Sequence, residues 1–377
     1  MSLSSAFGFG SDHKVRYAVV GLGDIAQEAL MPGIDHTGNS KLVALVSGDR
    51  DKAQGVAMQY GIEAIYGYGD FATLLASGTI DAIYLATPNW RHAEFAIPAL
   101  QAGIHVLCEK PLEVSVEKCR AILDAERASS AKLMTAYRLH FEPGTLDAIA
   151  KIRAGQLGEL ICFTSCFTQM VDPANHRARS GMEAGPLFDM GPYPINAIRY
   201  LFESEPEEVL SAVGMRHAAA GLGDLDDTVA VTLRMPGNRL AQFTVSYFAN
   251  GVDSLNIAGT TGSITLTPAY GFGKPIEQFV TIGEEQSHKS FNATDQFGGE
   301  LRYFSDCILN DRDPEPDAEE GLADLRVIEG IVRALQTGQP QPLEPFVRAR
   351  RIDTDAQLQT LGAVKAPTPV KVSGPTR

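Results

Sequence analysis

The sequence predicts an α/β protein: a doubly wound parallel sheet at the N-terminus, then an α+β domain with a large, mostly antiparallel open sheet. Three observations carry this. Up to Ala136, short apolar runs without polar alternation recur between helical segments, the pattern of strands buried on both faces. Gly21 and Gly23 sit between the first such run and the first helix, the kind of turn at which a doubly wound sheet binds its ligand. Beyond Tyr137 the rhythm changes to strict alternation, as in Gln242–Tyr247, which suits a sheet covered on one side only.

A length of 377 residues favours two domains over one, and a hydrophobic content of 44% is enough for both cores. Residues 1–13 read as a flexible arm, 14–136 as the parallel domain, 137–350 as the α+β domain and 351–377 as a tail. Asp and Glu total 46 against 32 Lys and Arg, a formal net charge of -14, which argues against a nucleic-acid or anionic-membrane surface. No apolar run approaches the roughly 18 residues of a membrane-spanning helix. Cys108, Cys119, Cys162, Cys166 and Cys307 form no Cys-x-x-Cys pair and read as reduced, buried, inert thiols of a cytoplasmic protein; a periplasmic location would need a natural leader. The histidines form no ligand-spaced cluster, so no metal is expected.

The first strand is Val15–Val20. Gly21-Leu22-Gly23-Asp24-Ile25-Ala26 follows and opens a helix to about Met31. This is G-x-G-x-x-A in the strand–turn–helix context that gives the motif its meaning. Gly21 permits the tight turn, Gly23 lets the backbone approach a pyrophosphate, and Ala26 keeps helix and strand close. Free N–H groups at the helix start face the anion. The second strand, Lys41–Val46, runs into Ser47-Gly48-Asp49-Arg50-Asp51-Lys52, where an NAD site usually carries an acid for the ribose 2′-hydroxyl. Ser47 with Arg50 or Lys52 would hold a 2′-phosphate instead, so the reading leans to NADP over NAD. In the competing reading Arg50 and Lys52 decorate an exposed helix start and Asp49 reaches the ribose.

Asp51–Tyr60 is a helix, Tyr66-Gly67-Tyr68 a short connection and Phe71–Ala76 a helix. Ile80–Ala86 is a buried strand running into Thr87-Pro88-Asn89, with Asn89 capping the next helix, contacting the cofactor, or both. His92–Ala102 is helical and closed by Gly103. Ile104–Cys108 is a strand ending in Glu109-Lys110-Pro111, at the carboxyl end where open sheets bind ligands. A desolvated lysine there has its pKa lowered towards acid–base use. The helix Val114–Arg127 and the strand Ala131–Ala136 complete the domain.

In the second half Pro143–Ala154 is helical, Thr228–Leu233 is a strand, and Gly259-Thr260-Thr261-Gly262 is a tight turn between strands. The uncovered face of the sheet is a candidate oligomer interface. Gly185–Asn196 leads into a helix ending near Phe202. Asp189 and Tyr193 are four apart and share a helix face, with Asn196 on the same stripe; in the competing reading Asp189 is a cap and Tyr193 half-buried packing. Asn310–Glu320 reads as a solvated acidic loop before a helix, Gly321–Leu335. Residues 347–377 read as a polar tail packed on a neighbour.

Taken in order, Gly21–Ala26, Thr87-Pro88-Asn89 with His92, and Glu109-Lys110-Pro111 resemble successive signatures of the Gfo/Idh/MocA oxidoreductase family. Asp189 and Tyr193 lie where that family carries an Asp and, four residues on, a His or Tyr. The resemblance covers about residues 15 to 345. Leu45-Val46-Ser47-Gly48 with Lys52, His92–Ile97, Tyr137-Arg138 with His140, and Asp189–Leu201 are similar to the glucose–fructose oxidoreductase branch. The resemblance implies a Rossmann fold, NADP with Ser47 and Lys52 near its 2′-phosphate, and a carbohydrate or polyol substrate. It also implies a cis bond before Pro111 and homodimers or homotetramers built on the open sheet. The chain departs from that branch in its short arm, in Gly185-Pro186 replacing a glycine-rich run, and in Asn196, where many family dehydrogenases carry Asp.

The expected chemistry is hydride transfer between nicotinamide C4 and a sugar or polyol carbon. Gly21, Leu22, Gly23, Asp24, Ile25, Ala26, Ser47, Gly48, Arg50, Lys52, Thr87, Pro88, Asn89, His92, Glu109 and Lys110 are the expected cofactor contacts. Lys110 and Tyr193 are the candidates for proton transfer, and Asp189 for holding a sugar hydroxyl or orienting Lys110. Arg138, His140, Arg177 and Arg179 are candidate substrate contacts, each with a structural ion pair as its competing reading. Two alternatives stay open: an inositol-type or keto-sugar dehydrogenase or reductase, and a non-catalytic dinucleotide- and sugar-binding regulator of the same fold.

Overall fold

The computed structural model describes residues 13–348, 350–372, 374 and 376, so the expected N-terminal arm falls almost wholly outside the described residues. The first sheet consists of β1 Val15–Val20, β2 Ser40–Val46, β3 Ala64–Tyr66, β4 Ala82–Leu85, β5 His105–Glu109 and β6 Leu133–Ala136. All pairings are parallel and the order is β3-β2-β1-β4-β5-β6. Winding reverses between β1 and β4, which opens a crevice beyond their carboxyl ends. Gly21 turns the chain there with φ +95°, and a Cβ would come 2.5 Å from the Ala86 carbonyl, so only glycine fits.

Helices α1 Arg50–Tyr60, α2 Phe71–Leu75, α3 His92–Gln101 and α4 Val116–Arg127 connect the strands. Asp49 caps α1 by accepting from Lys52 N at 2.9 Å, and Ser115 caps α4 by accepting from Lys118 N at 3.2 Å. The helical stretch after the glycine turn passes Met31 and continues to His36 in three pieces, Ala26–Leu30, Met31–Gly33 and Ile34–His36. Pro32 lacks an N–H and changes the pitch rather than ending the stretch. Tyr66, expected in a connection, closes β3, an edge strand too short to show a period.

The second half contains α5 Pro143–Arg153, β7 Leu160–Met170, α6 His176–Arg179, α7 Pro186–Asp189, α8 Pro192–Phe202, β8 Glu208–Met215, β9 Thr228–Met235 and β10 Arg239–Ser246. It continues with β11 Phe248–Gly259, β12 Gly262–Thr267, β13 Ile276–Ile282, β14 Glu285–Phe291, α9 Gln296–Leu309, α10 Ala318–Thr337 and β15 Gln341–Pro342. The nine strands run β14-β13-β12-β11-β7-β10-β9-β8-β15, with β7 and β10 parallel and all other neighbours antiparallel. Alternation sorts Val229, Val231, Leu233 and Met235 of β9 inward. Ile161, Val213, Met215, Leu240 and Phe279 remain exposed. Cys162 is exposed as well, against the expectation of a buried thiol, because it shares an alternating strand whose inward position is Phe163.

The two halves interlock. Phe297, Leu301, Phe304 and Cys307 of α9 pack with Tyr17, Val19, Leu45 and Tyr84 of the first sheet. Ser305 Oγ lies 2.8 Å from Tyr17 Oη and from Ser40 Oγ. The acidic stretch 310–320 is not simply solvated surface. Glu315 and Glu320 are buried, and Arg199 and Arg348 reach Glu320 at 2.6 and 2.8 Å. Buried guanidinium groups need such counterions. The tail packs in part on its own chain: Ile352 and Gln357 are buried, and Thr368 and Val370 bond to Gln59 and Gln27. Among the described residues no helix is long and apolar enough to cross a membrane.

Candidate active site

A cleft of about 790 Å³ opens between the carboxyl ends of the first sheet and the second half of the chain. Its nucleotide side is built from Gly21–Ile25, Ser47, Gly48, Lys52 and Thr87–Asn89. A Cβ at Gly23 would meet no atom within 4 Å, so the backbone there is open to close approach. Ala26 and His92 do not line the cleft. Ala26 is fully buried between helix and strand, and the buried His92 ring sits among the carbonyls of Thr87, Pro111 and Leu112, holding two strand ends together. Arg50 is exposed and does not line the cleft. Asn89 does not cap a helix through its side chain; its Nδ2 donates to the Glu183 carbonyl at 3.0 Å, across the cleft. Asp49 lines the cleft and caps α1 by accepting from Lys52 N through Oδ1 alone.

Lys110 follows β5, and the bond to Pro111 is cis. Its Nζ donates to the Asp189 carbonyl at 2.8 Å and lies 3.4 Å from Asp189 Oδ1 and 4.7 Å from the centre of the Tyr193 ring. The three residues therefore converge, but not on one helix face. Asp189 ends α7 and Tyr193 lies in α8. Gly191 between them keeps helical dihedrals (φ -58°, ψ -34°) where a Cβ would strike the Leu187 carbonyl at 2.2 Å. The hydrogen-bond ladder is interrupted at Pro192, which has no N–H to donate. Asn196 leaves the stripe altogether, donating to Glu320 at 2.6 Å.

Asp189 is the electrostatic centre. Its Oδ2 accepts from Tyr247 Oη at 2.8 Å and faces Arg177 Nε at 3.2 Å. Burial alone would raise its pKa, but Arg177 and Lys110 bring it down to about 2. For Lys110 the lowering expected from desolvation is present but overcome: Tyr193, Asp189 and Glu109 raise its pKa above the usual value, so it is an ammonium at neutral pH. Glu109 accepts from Tyr84 Oη at 2.5 Å and from Lys110 N at 3.2 Å, a positioning arrangement; burial raises its pKa.

Of the remaining cations, Arg138 lines the cleft, yet it donates to Gln296 and to the Tyr270 carbonyl and stacks 5.0 Å from the Tyr193 ring. It is a shelf for Tyr193. His140 is buried outside the cleft, with Nε2 at 2.7 Å from Asn196 Oδ1. Arg179 bonds the Pro173 carbonyl and lines a separate hollow with Met182 and Arg216. Tyr247 was hidden in the alternation of Gln242–Tyr247, in the bend between β10 and β11. Phe167 of β7 and Tyr270 of the β12–β13 loop, which pack around Tyr193, are single residues distant in sequence. No local signal marks them.

Four buried polar atoms of cleft-lining residues lack a partner among the described residues: Asp24 Oδ1, Thr87 Oγ1, Arg138 Nε and Arg177 Nη1. An acceptor, a hydroxyl and two donors left open beside a glycine turn fit a bound dinucleotide and a polar substrate.

The profile described as "Oxidoreductase family, NAD-binding Rossmann fold" matches residues 15–137, and the "GFO/IDH/MocA C-terminal domain" matches residues 145–265. The chain is 31% identical to D-xylose 1-dehydrogenase [NADP(+)] of Haloarcula marismortui over 87% of this chain and 92% of that protein. The crystal structure of an aldose-aldose oxidoreductase from Caulobacter crescentus complexed with glycerol superposes with a TM-score of 0.83 at 32% identity, covering 88% of this chain and all of that one. A 3-ketoreductase from Actinomadura kijaniata, solved with NADP and TDP-benzene, shares the fold with a TM-score of 0.77 at 24% identity, covering 87% and 98% of the two chains. Both halves of the cleft thus match one family in the order its domains occur, and the chain belongs to the Gfo/Idh/MocA oxidoreductases.

Proposed function

We propose that the chain is an NADP-dependent oxidoreductase that interconverts a hydroxyl and a carbonyl on a sugar or polyol. The observation that carries this reading is the Lys110 ammonium, held by Asp189 at the mouth of the first sheet and facing open cleft beside the glycine turn. The relatives named as NADP-dependent sugar dehydrogenase and aldose oxidoreductase support the cofactor and substrate class. Ser47 and Lys52, at the end of β2, are the candidates to hold the 2′-phosphate.

When bound, the nicotinamide supplies the hydride acceptor for oxidation or the donor for reduction. The protein handles the proton. In reduction, Lys110 Nζ or Tyr193 Oη delivers a proton to the oxygen as the carbonyl carbon gains hydride. In oxidation, one of them takes the hydroxyl proton as the carbon loses hydride. Asp189, ionised throughout the working range, keeps Lys110 charged and aimed, and Arg177 Nη1 is a free donor for a substrate hydroxyl. The exposed apolar side chains on the open face of the second sheet support a homodimer or homotetramer, and five free cysteines support a cytoplasmic site of action.

The test is a panel of aldoses, ketoses and polyols offered to the purified protein with NADP or NAD, read by nicotinamide absorbance. At least one sugar is expected to reduce NADP. Absence of turnover with every sugar, in both directions and with both cofactors, would overturn the enzymatic reading in favour of a binding protein.

A further inference from the structure

The first turn of α1 poses a problem for the proposed cofactor. A 2′-phosphate beside Ser47 and Lys52 would also approach Asp49, which lines the cleft, and Asp51 two residues on. Like charges at such range repel, and an acid at this position normally selects NAD. The countercharge comes from the far end of the chain. Lys371 Nζ lies 3.4 Å from Asp49 Oδ1 and 3.3 Å from Asp51 Oδ2.

Lys371 is held there by the segment just before it. The Thr368 carbonyl accepts from Gln59 Nε2 at 2.9 Å. Val370 N donates to Gln27 Oε1 at 2.7 Å, and the Val370 carbonyl accepts from Gln27 Nε2 at 3.2 Å. Gln27 is 2% exposed, and the same Nε2 donates to the Leu22 carbonyl at 2.9 Å. One buried amide therefore ties the C-terminal segment to the glycine turn. The Val370 side chain packs against Gly55, where a Cβ would come within 2.8 Å of it.

We infer that Lys371 is a specificity-determining residue for the cofactor: its ammonium offsets Asp49 and Asp51 so that the first turn of α1 accepts a 2′-phosphate. The inference rests on the NADP reading above. NAD presents a neutral diol at this place, so its binding does not depend on Lys371. Lys371 and Asp49 are half-exposed and Asp51 is exposed, so the effect is moderate and screened by salt.

The test uses the full-length protein, with dissociation constants for NADP and NAD measured by fluorescence titration at low and high salt. Lys371→Ala is expected to weaken NADP about 3-fold to 10-fold at low salt while NAD changes less than about 2-fold. Lys371→Glu is expected to weaken NADP further. Adding Asp51→Asn to Lys371→Ala is expected to recover part of the loss, which a merely structural role for the lysine would not produce. An unchanged NADP to NAD ratio in Lys371→Glu, or equal weakening of both cofactors, overturns the inference alone. Tighter binding of NAD by the unaltered protein overturns the cofactor reading and the inference with it.

Discussion

Helix α8 begins in the cleft with Tyr193 and, one and two turns later, enters a buried ion network with Asn196 and Arg199. The two ends bear the same kinds of residue and are used differently. In the network Arg199 meets Glu205, Glu320 and Asp324, Arg348 meets Glu315, Asp317 and Glu320, and Asn196 links His140 to Glu320. In the cleft Asp189 meets Lys110, Arg177 and Tyr247, and Arg177 keeps an unpaired Nη1. Stoichiometry separates them. Burial raises the pKa of Asp324 to about 6, because Glu320 takes the larger share of Arg199 and is itself held low; Asp189 faces Arg177 and Lys110 with no second acid of that kind, and its pKa falls to about 2. In the network each guanidinium is shared among three carboxylates. A cleft with spare cations and open donors can bind and protonate something else.

Breaking each cluster should therefore damage a different property. Lys110→Met is expected to lower kcat by about 10³-fold, within the usual contribution of general acid–base catalysis. Nucleotide titration and the melting temperature should stay near those of the unaltered protein. Activity within a few-fold of normal would separate the cleft geometry from the chemistry. Arg199→Met should do the reverse. It strands Glu205, Glu320 and Asp324 without their main counterion, at a cost of about 3–5 kcal/mol in denaturant unfolding. With the cation gone the folded acids hold protons more tightly than the unfolded chain does, so the variant should regain stability as pH falls from 7 to 5. A loss that does not depend on pH would mean that packing, not charge, dominates there.

The first half of the chain was legible because its signals are local. A glycine turn lies within one strand–helix unit, and Lys110 sits at the end of a continuous apolar run, so Gly21, Gly23 and Lys110 could be placed from spacing alone. Asp189 and Tyr193 do come together beside Lys110, but the spacing of four suggested a single helix where Pro192, with no N–H, interrupts it. What failed were residues whose role depends on distant partners. His140 and Arg179 carry charge near recognisable stretches, yet only tertiary structure shows that Glu315 and Asn196 claim the first and the Pro173 carbonyl the second. The same applies to Glu320, which reads as loop surface until Arg199 and Arg348, 121 and 28 positions away by number (320 − 199 and 348 − 320), are brought to it. Tyr247 resembles any other apolar position of the alternating run Gln242–Tyr247 until its hydroxyl meets Asp189.

The smallest effect sharpens the comparison most. Asp189→Asn removes the charge that two cations share but keeps the main-chain carbonyl to which Lys110 donates at 2.8 Å. Geometry should survive while the field changes. Lys110 then loses one of the acids that raise its pKa, and Arg177, now without its acid, adds repulsion. Both act in one direction, releasing the lysine proton at lower pH. In reduction, which needs that proton, the alkaline fall of kcat/KM should move towards neutral pH by on the order of one unit. In oxidation, which needs the proton absent, the rise with pH should shift the same way. Asp189 itself contributes no limb, because it stays ionised down to about pH 2. An alkaline limb that does not move in Asp189→Asn would assign the titrating proton to a group other than Lys110, and Tyr193 would be the one left.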